Sequence, residues 1–103
     1  MAFKVVIERP AHESIERNAI WWAQHHSINA ALEWQEIIYG QIAELAIMPE
    51  RYGLAHENSA FQFDLRQKLV GKGKRLTYRV LFTIRDSTVH VLEFLAAEQD
   101  DWS

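Results

Sequence analysis

Seven of the chain's eleven Lys and Arg residues fall between residues 64 and 86, where only two acids accompany them. That block carries a net charge of +5, while residues 1–63 and 87–103 each carry −4, so a chain of net charge −3 contains one basic island. Such an island attracts an anionic partner even on an acidic molecule. Arg66, Lys68, Lys72, Lys74, Arg75 and Arg79 are therefore the candidates for binding an anion or an anionic target. The forked guanidiniums of Arg66 and Arg79 match phosphate or carboxylate geometry. A hairpin with ordinary solvated lysines accounts for the charge run equally well.

The remaining chemistry-bearing residues carry weaker signals. Gly71-Lys72-Gly73-Lys74-Arg75 lacks the spacing, the Ser or Thr and the following helix of a phosphate-binding loop. His25 and His26 are adjacent, diverge by about 100° on a helix and cannot share a metal. His12 and His56 have no ligand set nearby, and His90 reads as a strand residue. There is no cysteine, which excludes disulfides and thiolate metal sites. No metal and no cofactor are expected. Of Trp21 and Trp22, one is expected in the core and the other at the edge of an interface.

These residues must be positioned by elements that the hydropathy pattern outlines. Phe3, Val5 and Ile7 alternate with their neighbours as a short strand, and Arg9-Pro10 opens a helix. Ala11, Ile15, Ala19, Trp22 and Ala23 form one stripe, predicting a helix from Ala11 to about His26. Ser27 is a suitable cap for a second helix, from about Ile28 to Met48, stopped by Pro49. So short a connection makes an antiparallel helix hairpin. Residues 50–60 have no period and read as a loop. Residues 61–69 and 76–85 then alternate as two strands, and Thr88 to Leu95 reads as a third.

Placing Lys72-Gly73 at the tip of a type I′ turn sets an expected register. Phe63 then faces Phe82, Leu65 faces Val80 and Leu69 faces Leu76, with Arg66 directly opposite Arg79. The helices would cover the face carrying Phe63, Leu65, Val80 and Phe82. The other face would show Arg66, Arg79, Leu81, Thr83, Leu92 and Phe94, a mixed surface that a partner chain would cover. Glu93 would face Val80 on the buried side, so a bulge or an edge position is expected there.

The expected fold class is α+β in a single domain over residues 1–103: an N-terminal strand, an antiparallel helix hairpin, and a three-stranded antiparallel meander completing one sheet. No segment approaches the roughly 20 apolar residues of a membrane span, and the N-terminus lacks signal-peptide character. A cytoplasmic location is expected.

Laid out in this way, the sequence resembles the RelE/ParE toxin superfamily, also called plasmid stabilisation proteins. The resemblance runs from Val5 to about Leu95 and rests on order: Ala11 and Ile15, Trp22, Ala31-Trp34-Ile38-Ile42-Leu45-Pro49, Phe63-Asp64-Leu65-Arg66, Tyr78-Arg79-Val80-Leu81-Phe82, and Val89-His90-Val91-Leu92. It implies the toxin of a type II toxin–antitoxin system, neutralised by a cognate antitoxin that alone contacts DNA. ParE-like members inhibit DNA gyrase by binding, and that reading is preferred. RelE-like members cleave messenger RNA on the ribosome without metal, with Arg66, Lys68 and Arg79 as the catalytic candidates here. The end of the last strand carries no His or basic residue for that chemistry, and its acids would repel RNA. An inactive antitoxin-binding relic is the third reading. Leu81, Thr83, Leu92 and Phe94 are the expected antitoxin contacts, and the acidic tail from Glu98 to Asp101 is expected to fold back over the arginines when no antitoxin is bound.

Overall fold

The computed structural model of the chain describes residues 2–74 and 76–97. A strand, β1 (Lys4–Ile7), leads into two helices, α1 (Arg9–His25) and α2 (Ile28–Ala43). Three strands follow: β2 (Arg66–Val70), β3 (Tyr78–Arg85) and β4 (Thr88–Ala96). They form one sheet in the order β1-β4-β3-β2, with β1 parallel to β4 and the other pairs antiparallel.

Local chemistry explains the helix hairpin. Pro10 lies in the first turn of α1, where its missing N–H costs nothing. Ser27 caps α2, its hydroxyl accepting from the Ala30 amide at 3.0 Å. Ala11, Ile15 and Ala19 of α1 and Trp34, Ile38 and Ile42 of α2 meet Val80, Phe82, Val89, Val91 and Phe94 of the sheet in the main core. The second helix ends sooner than its apolar stripe predicts. Residues Glu44–Ala46 tighten into a 3-10 turn that buries Leu45 and lets Ala46 accept from the Phe3 amide at 2.7 Å. Met48 then adopts a left-handed conformation, φ 46°, before Pro49.

The β2–β3 register differs from the expected one by three residues. Arg66 pairs with Phe82, Lys68 with Val80 and Leu69 with Arg79. Gly73 does take positive φ, 66°, but within a connection spanning residues 71–77 rather than a two-residue turn. An odd shift exchanges the faces of β2. Lys68 and Val70 now look toward the helices, and Leu65 and Leu69 toward the opposite side. The expected register assumed that helices cover one face and nothing covers the other. In fact the segment from Leu54 to Leu65 forms a third layer over the outer face. Ala55, Leu65, Leu81 and Leu95 make a second core there, joined by Phe61 and Leu92. Phe61 and Phe63 consequently lie in bends before β2, not within a strand.

On β4 the expected irregularity is a bulge. Leu81 pairs with Glu93 and Phe82 with Val91, leaving Leu92 unopposed. The extra residue turns Glu93 away from the helices and turns Phe94 toward them. No helix among the described residues is long and apolar enough to cross a membrane.

Candidate functional site

The basic island is dispersed by the register. Arg79 is on the outer face, where the 3-10 turn His56–Ala60 lowers Glu57 onto it. Its two terminal nitrogens donate to the two carboxylate oxygens of Glu57 at 2.8 and 2.6 Å, and one also donates to Gln67 Oε1 at 3.1 Å. Arg79 is 2% exposed and Glu57 4%. The hydrogen bonds from Arg79 hold the Glu57 carboxyl below its ordinary value of 4.5, against the upward pull of burial. Backbone contacts fix this arrangement: the Ala55 amide donates to Leu65 O at 2.8 Å, and the Leu65 amide to Asn58 Oδ1 at 2.7 Å.

Arg66 does not meet Arg79. It turns to the residues that precede the covering segment, where it donates to the carbonyls of Tyr52 at 2.7 Å and Glu50 at 3.2 Å. Lys68 donates to Glu44 Oε1 at 2.6 Å and to the Gln41 carbonyl at 2.7 Å. It also lies 5.5 Å from the Tyr52 ring, which Arg51 covers at 4.9 Å. Arg51, Arg66 and Lys68 are thus brought together around Tyr52. Lys72 is 3.3 Å from Glu33 Oε1, and Lys74 is exposed. Arg75 and the acidic tail from Glu98 to Asp101 lie outside the described residues.

The expected antitoxin contacts divide in the same way. Leu81 and Leu92 line an apolar cavity of about 430 Å³ on the outer face, with Pro10, Phe61 and Leu65 and with Glu8 and Glu93 among its walls. The Glu8 carboxylate accepts from His90 Nδ1 at 2.8 Å. Thr83 is buried and donates to the Asp64 carbonyl at 2.9 Å. Phe94 is not on this face at all. The bulge sends it into the main core, 5.9 Å from Trp34 and 4.9 Å from Tyr78 between ring centroids. Trp22 packs beside Trp34 at 6.4 Å, whereas Trp21 is 47% exposed and stacks on His25 at 4.2 Å.

Sequence reasoning missed Glu57, Arg51 and Tyr52, which stood in a stretch without periodicity. It also missed a polar cluster on the helix hairpin, where the Tyr39 hydroxyl lies 2.9 Å from His12 Nδ1 and His12 Nε2 lies 3.1 Å from Glu16. Burial, then the Glu16 charge, raises the Tyr39 pKa above its ordinary 10.0, so this phenol stays protonated at neutral pH. Among the described residues no group of three or more His, Asp or Glu is placed to hold a metal ion.

No family model and no curated protein matches the sequence. Among solved structures, the chain is similar to one described as "Chromosomal ParDE TA system from P. aeruginosa", with a TM-score of 0.76 and 14% identity. The match covers 94% of this chain and 98% of that one. At this identity the likeness is one of fold, and the fold is the ParE-like α+β arrangement that the resemblance implied.

Proposed function

We propose that the protein is a ParE-like toxin of a type II toxin–antitoxin pair, acting in the cytoplasm by binding its target, DNA gyrase, and held inactive by a small cognate antitoxin. The observation that carries this reading is the likeness in fold to the ParDE chain across nearly the full length of both proteins.

The geometry favours a binder over a nuclease. Metal-independent RNA cleavage needs cations and a proton-transfer group converging on one phosphate. Arg79 is sealed against Glu57 on the outer face, while Lys68 is anchored to Glu44 on the helix side. These two side chains do not address a common substrate. For the antitoxin, the apolar cavity around Leu81 and Leu92 offers a seat for a large aliphatic or aromatic side chain of an amphipathic segment. One observation favours the RelE-like alternative: Arg51, Arg66 and Lys68 surround Tyr52 and form a basic edge.

The test is to induce the chain alone in a bacterial host and follow thymidine and methionine incorporation over the first minutes. An early loss of thymidine incorporation with protein synthesis intact is expected. An early loss of methionine incorporation would move the target to the ribosome. Neither change, with the protein soluble and folded, would overturn the toxin reading and leave an antitoxin-binding relic.

A further inference from the structure

The sheet ends at β1, which has β4 on one side and, among the described residues, no strand on the other. The amides of Lys4 and Glu8 donate to the Ser87 and Val91 carbonyls at 3.0 and 2.8 Å, so the even-numbered residues of this strand face β4. Successive residues of a strand turn their N–H and C=O groups to opposite sides, and those of Val5 and Ile7 therefore point away from the sheet. No backbone hydrogen bond among the described residues meets them there, and the Ala46 carbonyl closes the edge only at Phe3. A free edge is a template for another strand, which proteins commonly blunt with a proline, a bulge or a covering element. The run Lys4-Val5-Val6-Ile7 has no proline, its pairing with β4 is regular, and α1 departs over β4 rather than over the open side.

This edge is complementary to itself. Val5 and Ile7 pack on the main core, so Lys4, Val6 and Glu8 share the outer face. Two such edges related by a two-fold axis run antiparallel. With Val5 opposite Ile7 of the second copy, the outward groups meet in hydrogen-bonded pairs, Val6 meets Val6, and Lys4 falls opposite Glu8 at both ends. A shift of two residues either way sets one of these charges against Val6 and removes both ion pairs. Both charges are accessible: Lys4 is exposed, and Glu8, held on the outer face by His90 at 2.8 Å, keeps 40% of its side-chain surface. Ile47 and Met48, more than half exposed, follow Ala46 and add apolar surface at the Phe3 end of the edge. We propose that two copies of the chain join through β1 in this register, making one continuous sheet. The surface is separate from the outer-face cavity around Leu81 and does not depend on the toxin reading.

The test is analytical ultracentrifugation of the full chain from about 10 μM to about 1 mM, the range in which small interfaces dissociate. Reversible dimerisation is expected, with the Val5 and Ile7 amides, but not that of Val6, gaining protection from hydrogen exchange as the concentration rises. Lys4→Glu and Glu8→Lys should each weaken self-association about tenfold or more, because both end pairs become like-charged. Mixed in equal amounts, the two variants again oppose unlike charges at both ends and should associate nearly as tightly as wild type. Misfolding of either variant predicts no such recovery. A chain that stays monomeric throughout the range, a dimer indifferent to both substitutions, or variants that fail to associate when mixed overturns the proposal; the first outcome leaves the edge to a strand of a different protein.

Discussion

Glu57 and Arg79 meet in a bidentate pair with both side chains nearly sealed from solvent. A buried pair of this kind adds little stability over an apolar replacement, but removing one partner strands a charge, at a cost of about 3–5 kcal/mol. Glu57→Gln should therefore lower the urea midpoint strongly, whereas Glu57→Leu combined with Arg79→Met should recover most of the loss; urea unfolding at constant m-value measures both. The pair also sets an acid dependence. The Glu57 carboxyl titrates lower in the folded chain than its ordinary value of 4.5. Its contribution is therefore complete above about pH 5 and is lost as the pH falls through the folded value. Acidification from about pH 5 to pH 3 should cost the wild-type chain more stability than the Glu57→Gln variant, and equal losses would remove Glu57 as the cause.

The helix hairpin and the β2–β3 connection each hinge on one residue. The Ser27 hydroxyl satisfies an otherwise unpaired amide at the start of α2, so Ser27→Ala should cost about 1 kcal/mol in chemical denaturation. Gly73 holds φ at 66°, and a methyl group added there would meet nothing within 4 Å. The cost of Gly73→Ala is then purely backbone, about 1–2 kcal/mol, and Gly73→Asn should recover part of it because asparagine tolerates this conformation. A Gly73→Ala variant as stable as wild type would mean that the connection readily adopts another shape. On β4, the bulge at Leu92 reconciles a charged residue with a buried strand, since Leu92 and Glu93 both line the outer-face cavity while Val91 and Phe94 enter the core.

Across the whole molecule, three layers are stacked: helices, sheet, and the covering segment from Leu54 to Leu65. They are unequal in strength. The inner interface holds most of the large apolar side chains, while the outer one rests on a few leucines, Phe61 and the Glu57–Arg79 pair. Local opening free energies follow such differences. Native-state hydrogen exchange should show the Ala55 and Leu65 amides exchanging well before those of Val80 and Phe82. Glu57→Gln should accelerate the first pair more than the second. Uniform acceleration would mean that the covering segment and the sheet open together.

The sequence by itself determined the order of elements, the helix hairpin and its Ser27 cap, and the need for an irregularity near Glu93. These are local matters: capping, period and the incompatibility of a carboxylate with an apolar face act within a few residues. The same patterning supported the α+β fold class, now matched by a solved structure of that fold. Tertiary structure decided which face each strand presents, and with it the fate of the proposed site. Alternation specifies register only when one face is buried, and here both are, so Leu65 found burial on the outer side and Lys68 turned to the helix side. Arg66 and Arg79 separated in consequence. Their partners, the Tyr52 carbonyl and the Glu57 carboxylate, come from an aperiodic stretch whose placement is fixed by contacts 14 and 22 residues away in sequence.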